Sequence, residues 1–482
     1  MSNSSVSISR AITFTDNRAW LLVICLLVLV RVVGSSLQPI MEFSEARYAE
    51  ISRIIYAGGD WITLWYYQDQ PFWGKPPLAF WSVATSFHLF GLNELAARLP
   101  SLLFTVVTAM MIGWWCRRLF DAKTGRYAIL VFCSSWLVLH TSGAVITDPL
   151  LTSCTTLVMI AFWQSVCMGQ KQWGYLLWFA LGLGLLAKGP LALVLCGIAC
   201  GLWVVFHRRW RDLFAGLNWI TGPVIMAVVA FPWYWLAEQS TPGFLEYFLV
   251  GEHWQRYTQS EWQGDLYGSV KDRWPGTIWL YFLLATLPWS PFIAYGFAKR
   301  DTRAALLDAN SGPDPQFTSY LLIWMLFPLV FFTPASNVLV TYVMPGLPAF
   351  AILLARKLPL LLADERRTLQ VASVATLFFA AASVTIFFVS YKEHRYNQKP
   401  IMMAYREHNQ THPGGIVYTG KPRFSALFYS EGKVIFTRRP GDHRKSGEPV
   451  YIAYRDIWYP TLTQCDKKHH SNGFSLWYCP GS

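Results

Sequence analysis

Charge is what this chain of 482 residues has least of. Its 40 Lys/Arg and 28 Asp/Glu make 14% charged residues, where a soluble protein carries about 25%. A soluble chain of this length folds as roughly two to four domains with polar surfaces, and too few polar residues are present to coat them. Cysteine is sparse as well: nine residues, with no Cys-x-x-Cys and no His/Cys spacing of a zinc site, which excludes a secreted disulfide scaffold and a zinc module. No internal repeat or low-complexity tract is present. No small-residue cleavage site follows the first apolar run, so that run reads as a retained helix and not a signal peptide. What the chain has in quantity is apolar and aromatic: 54% hydrophobic residues, with 24 Trp, 23 Tyr and 32 Phe, and a mean hydropathy of +0.30. The Trp and Tyr excess suits a protein with two membrane–water interfaces to line. These numbers describe an all-α polytopic membrane protein.

A spanning helix needs about 20 predominantly apolar residues. Eleven runs qualify, near 19–38, 98–116, 127–147, 149–168, 174–189, 190–206, 215–237, 276–297, 317–333, 338–355 and 368–391. With the N-terminus in the cytoplasm, the inside loops hold 15 Lys/Arg and the outside segments eight, as the positive-inside rule requires. An odd number of spans then puts residues 392–482 outside. Two outside segments, about 39–97 and 238–275, are longer than plain connections, and long loops in compact folds are usually functional. The first contains SEARYAEISRIIYAGGDW, an amphipathic helix expected at the interface and closed by Gly58 and Gly59. We therefore expect a transmembrane domain over 1–391 and a small α/β or mostly β outer domain over 392–482. Cys465 and Cys479, both in that outer domain, are candidates for a bridge; the other seven read as packing thiols.

The formal net charge is +12, and 392–482 alone hold 14 Lys/Arg against 7 Asp/Glu. No nucleic-acid-binding motif accompanies this basic balance, so nucleic acid is not the expected partner. Anionic membrane lipid is.

With charge so scarce, ionisable residues on the outer face become functional candidates. They are Glu42, Glu45, Arg47, Lys75, Asp148, Lys188, Glu252, His253 and Arg256. Carboxylates would accept a proton from a hydroxyl; Lys and Arg would hold a phosphate, Lys as a point charge and Arg by bidentate contacts. Each has a plainer reading. Glu45 and Arg47 suit the solvated face of the interfacial helix, Asp148 before Pro149 suits a helix cap, Lys188 suits a snorkelling residue at a turn, and His253 a neutral loop histidine.

The ordered segments SEARYAEISRIIYAGGDWIT, PFWGKPPLAFW, LFGLNELAARLPS, TDPLL, AKGPLAL, YFLVGEHWQRY, LPW and TYVMPGLPAF resemble bacterial lipid-to-lipid glycosyltransferases of the lipid A aminoarabinose transferase group. That group stands with the protein O-mannosyltransferases and oligosaccharyltransferases in the GT-C superfamily, and the resemblance runs over about residues 19–355. It implies a GT-C fold with outer juxtamembrane helices in the bacterial inner membrane and a periplasmic C-terminal domain. It also implies transfer of a sugar from an undecaprenyl phosphate carrier to a lipid A, glycolipid, glycan or protein acceptor by inverting displacement, by a monomer. The family's Asp-Glu-x-Arg-Tyr stands here as Ser44-Glu45-Ala46-Arg47-Tyr48, with Glu42 as an added carboxylate, so Glu45, Glu42 and Asp148 are the expected catalytic residues. Arg47, Lys75, Lys188, His253, Arg256 and Tyr342 are expected to bind the carrier phosphate and sugar. A divalent metal stays open, with His253 as its candidate ligand, because the family's metal-binding Glu is replaced by Gly74. The Lys-x-Lys-Leu-Pro-Thr-Tyr signature is reduced to Ser336-Asn337-Val338-Leu339-Val340-Thr341-Tyr342, which fits a sister subfamily with another sugar or acceptor. Two other classes remain: a lipid-linked sugar transporter, which calls for inverted repeats absent from this sequence, and a non-catalytic lipid-binding relative.

Overall fold

The structure, a computed structural model, describes residues 6–42, 44–67, 69–259, 262, 264–267, 273–300, 303, 315–335, 337–362, 364–392, 397–437, 448–455, 464–471 and 473–481, with no side-chain description for 6–18, 21 and 383–392. Ser336 and Lys271 lie outside the described residues.

Each of the eleven apolar runs falls on a helix or a broken helix. By length and composition, Glu94–Leu119, Asp148–Cys167 and Val340–Leu361 can cross a membrane. Two bent pairs are spans if each counts as one: Trp210–Gly216 with Thr221–Ser240 (63°), and Thr277–Ala285 with Trp289–Ala298 (105°). The chain is a multi-pass, mostly helical membrane protein. It divides into two compact units: Met1–Val33, Pro71–Ala79 and Leu99–Phe379 form the first, and Gly34–Gln70, Phe80–Arg98 and Ala380–Ser482 the second.

In the first unit an aromatic core ties the spans together. Phe162 stacks on Tyr320 at 5.8 Å and Trp163 meets Phe317 edge-on at 4.7 Å. The polar tips of these rings are satisfied by backbone: Tyr320 donates to Met159 O (2.6 Å) and Trp203 Nε1 to Gln316 O (3.1 Å). Between lipid-facing helices apolar burial supplies little attraction, so such packing and hydrogen bonds set the arrangement.

The second unit carries a two-stranded sheet, β1 (Trp65–Tyr67) with β2 (Gln70–Pro71), and a five-stranded one. The larger sheet comprises β3 (Gly415–Thr419), β4 (Val434–Thr437), β5 (Val450–Arg455), β6 (Asp466–Ser471) and β7 (Phe474–Cys479), in the order β4-β3-β5-β7-β6. β4, β3 and β5 run parallel; β7 pairs antiparallel with β5, and β6 with β7. β-branched and aromatic residues make β3 and β5 central strands buried on both faces, while β6, DKKHHS, blunts its edge with lysines. Cys465 and Cys479 are joined in a disulfide.

This unit joins the first outer loop to the C-terminal segment, two stretches that the sequence pattern keeps apart. Tyr429 Oη accepts from Ile40 N (2.8 Å), and Lys399 Nζ reaches Glu94 at 2.5 Å. The Ser44–Gly58 helix was expected at the membrane interface. It packs against the Phe424–Ser430 helix, burying Ala46, Ala49, Ile51 and Ile55 in protein. Its end is as expected: Gly59, at φ 70°, closes it.

Candidate active site

Six of the nine site residues expected from the sequence lie in the first unit; five of them line one cavity, and the sixth, Asp148, pairs with Lys188 of that lining. Lys75 follows the Trp73-Gly74 turn. The backbone N of Trp73 donates to Tyr267 Oη (3.0 Å), its indole donates to Thr241 Oγ1 (3.0 Å), and Tyr267 Oη donates to Pro71 O (2.8 Å). Pro76 and Pro77 then lead into the Leu78–Phe90 helix. Lys188 is the last residue of the Gln172–Lys188 helix, where Gly189 at φ 76° stops the chain. Only glycine suits that position, since a Cβ there would meet Phe248 at 2.6 Å. Asp148 opens the Asp148–Phe162 helix ahead of Pro149. Each charge therefore sits at the helix end that favours it, and the two join in a 2.6 Å ion pair, Lys188 Nζ to Asp148 Oδ1. Lys188 Nζ also lies 5.0 Å from the ring centre of Tyr342.

Glu252, a candidate from its place on this face but one without an expected role, is the hub. It rides on a π-helical turn, Tyr247–Gln255, a geometry frequent at functional sites. Lys75 Nζ reaches its Oε2 at 3.3 Å, and Arg256 Nη1 bonds both of its oxygens at 3.1 and 3.0 Å. Burial opposes the charge on Glu252, but Lys75 and Arg256 outweigh it and hold the carboxyl below its usual range. The same carboxylate lifts the Arg256 pKa against the effect of burial. The i,i+4 spacing of Glu252 and Arg256 was the available signal for this pairing.

The cavity has a volume of about 450 Å³. Its polar lining includes Lys75, Lys188, Arg256, Tyr342, His253 and Asn337; its apolar lining includes Leu191, Val194, Ile198, Leu249, Phe331 and Phe332. Three cations against one lining carboxylate make the lining anion-accepting, and its apolar side chains suit a hydrocarbon chain. Asn337 is buried and its Nδ2 has no partner among the described residues. It is a site residue that sequence reasoning passed over as the remnant of a lost lysine motif.

A divalent metal does not fit these residues. The position of the family's Glu is Gly74, and the space a side chain would take there is filled by Phe72 (2.9 Å from an added Cβ) and Tyr267 (3.3 Å). His253 turns Nδ1 to Phe248 O (2.7 Å) and Nε2 to Lys188 O (3.4 Å). Burial lowers its pKa, with the two carbonyl contacts pulling the other way. Among the described residues no three His, Cys, Asp or Glu come together as a ligand set.

The other three expected residues belong to the second unit, and each has a partner there. Glu45 accepts from Arg98 Nε (2.8 Å) and Nη2 (3.0 Å) and from Met41 N (3.0 Å). Arg47 stacks on the Tyr48 ring at 5.5 Å. Glu42 Oε1 accepts from Ser425 N and Oγ, both at 2.7 Å. Burial raises the Glu42 carboxyl pKa, with Ser425 and Arg423 pulling the other way. Glu42→Gln keeps the accepting oxygen, and is expected to leave thermal stability within about 1 kcal/mol of wild type. Glu42→Ala, which orphans two buried donors, should cost about 1–3 kcal/mol. Turnover retained in the Gln variant would exclude Glu42 as a base.

Comparison with known proteins bears on this geometry. The dolichyl-phosphate-mannose-protein mannosyltransferase family matches residues 74–235. Undecaprenyl phosphate-alpha-4-amino-4-deoxy-L-arabinose arabinosyl transferases are similar over most of the chain. The one from Edwardsiella ictaluri is 30% identical over 369 residues, 74% of this chain and 62% of that protein. The one from Erwinia tasmaniensis is 32% identical over 328 residues, 66% and 55%. The crystal structure of ArnT from Cupriavidus metallidurans bound to undecaprenyl phosphate superposes with a TM-score of 0.79 at 19% identity, covering 95% of this chain and 97% of that one. The chain has the fold of that structure and resembles the aminoarabinose transferases. It spans about three fifths of the length of the curated relatives it matches. The fold brings Lys75, Lys188 and the Glu252–Arg256 pair together from three separate stretches of chain, which is why no single motif displays the cluster.

Proposed function

We propose that this protein is an inner-membrane glycosyltransferase that moves a sugar from an undecaprenyl-type phosphate carrier to a lipid or glycan acceptor at the periplasmic face. The observation that carries the reading is the cavity lined by three cations and by apolar side chains, matched to a phosphate on a long hydrocarbon. Similarity to arabinosyl transferases that use undecaprenyl phosphate supports it. In the free site, Lys75 and Arg256 are held by Glu252, and Lys188 by Asp148. An arriving phosphate competes for all three cations, and Arg256 can meet it with two parallel N–H bonds.

Reaction then proceeds by single displacement with inversion. The acceptor oxygen attacks the sugar C1 from the face opposite the phosphate, the C1–O bond to the phosphate breaks, and the phosphate leaves with the electron pair. Lys75, Arg256 and Lys188 meet the developing charge. Pre-positioned charge of this kind usually contributes most to the rate in a water-poor site. Asp148, released as Lys188 turns to the phosphate, takes the acceptor proton, a step worth about 10²–10⁴-fold.

The test is mass spectrometry of lipid A, glycolipids and envelope glycans from cells with and without the gene, complemented by wild type or Lys75→Ala. A sugar-sized mass restored by wild type and not by the variant is expected, and identifies donor and acceptor together. Identical profiles in every fraction would overturn transferase activity and favour a non-catalytic lipid-binding relative.

A further inference from the structure

The second unit contains a cavity that the proposed transfer reaction does not use. It measures about 190 Å³ and is lined by Tyr418, Thr419, Lys421, Arg423, Arg455 and Phe474. Its place in the sheet is informative. The parallel strands stand in the order β4-β3-β5, so the chain leaves β3 toward β4 on one side, and β5 lies on the other. The gap beyond the carboxyl ends of β3 and β5 is a topological switch point, where open α/β sheets bind ligands. Thr419 ends β3, Lys421 and Arg423 follow in its outgoing turn, and Arg455 ends β5. Phe474, paired with Arg455 in the sheet, forms part of the wall.

Three features define what would bind. Three cations line the cavity, and no acidic side chain does among its described lining residues. Thr419 is 4% exposed, and its hydroxyl has no hydrogen-bond partner among the described residues; a buried polar group in that state calls for one. The volume is below the roughly 300–1,000 Å³ of sites for drug-sized ligands, so the bound group is small. Guanidinium and ammonium donors around a hydroxyl donor match a compact, highly charged oxyanion.

We propose that this cavity is a phosphate site, taking either the monoester phosphate of a lipid headgroup or free phosphate. Lys421 and Arg455 supply charge from the two strand ends, Arg423 adds a third cation, and the Thr419 hydroxyl donates to a phosphate oxygen. The assignment stands apart from the carrier site, which lies in the other unit.

The experiment is isothermal titration of the full-length protein in detergent with inorganic phosphate, dihexanoyl phosphatidic acid and dihexanoyl phosphatidylcholine. It is run on wild type, Lys421→Gln/Arg455→Gln, Thr419→Val and, to remove the first unit's cation cluster, Lys75→Ala/Arg256→Ala. Binding of at least one of the two phosphates should persist in the Lys75/Arg256 variant and weaken about tenfold or more in the Lys421/Arg455 variant; Thr419→Val should weaken it less. Phosphatidic acid binding without inorganic phosphate binding assigns a lipid headgroup, and the reverse assigns free phosphate. Lys421→Gln alone changes one exposed side chain, and should show a partial loss even if the double variant fails to fold. The proposal is overturned if Lys421/Arg455 variants titrate like wild type, if phosphatidylcholine binds as tightly as phosphatidic acid, or if the Lys75/Arg256 variant loses all phosphate binding.

Discussion

Lys75→Ala is expected to lower turnover by about 10²–10³-fold, the usual consequence of removing one pre-positioned donor to a developing negative charge. The effect should fall on the chemical step and on carrier affinity together, because the same ammonium would hold the phosphate before and after the bond breaks. Stability should change little. Lys75 is a partner of Glu252, and Arg256 still holds both oxygens of that carboxylate at 3.0 and 3.1 Å after Lys75 is gone. Lys75→Arg is not a conservative control, since a planar fork cannot occupy the place of a compact ammonium beside Gly74. Single-turnover assays on reconstituted protein measure the effect, and Glu42→Ala in the same assay should cost far less turnover. If Lys75→Ala turns over near the wild-type rate, the cavity is not where the phosphate leaves.

The second large effect concerns Glu45, and it should be one of stability. Arg98 is 2% exposed, and its guanidinium bonds both oxygens of Glu45 and the carbonyl oxygens of Ser35, Gln38 and Pro39. Removing one partner of a buried pair leaves an uncompensated charge and costs about 3–5 kcal/mol. Glu45→Ala should therefore lower the unfolding midpoint in detergent sharply. Glu45→Ala/Arg98→Met should recover part of the loss, since the stranded cation is removed with its partner. This matters for the reaction because lost activity in Glu45→Ala alone does not distinguish a missing base from a collapsed loop. A Glu45→Ala protein with wild-type stability and no turnover would restore Glu45 as the proton acceptor.

Much of the architecture could be read from residue order because membranes impose simple rules. Backbone polar groups must be satisfied within each span, so runs such as 98–116 and 149–168 have to be helices, and they are. The Gly58-Gly59 stop follows from equally local chemistry. The candidate site was legible as residue types, since ionisable residues at or near membrane depth are costly and therefore rarely idle.

Partnership was not legible, because it depends on distances between stretches far apart in the chain. Asp148 and Lys188 are 40 residues apart yet meet at 2.6 Å. Glu45 and Arg98 are 53 apart, and their pairing gives the expected base a buried cation to hold as well. Glu252 and Lys75 are 177 apart, and only their meeting makes Glu252 the hub of the cation cluster. Composition and local pattern determined that this chain is a multi-pass helical membrane protein with scarce charge. Tertiary structure decided which of those charges line a cavity and which are spent holding a fold together, because a buried ion takes its role from the counter-ion the packing brings to it.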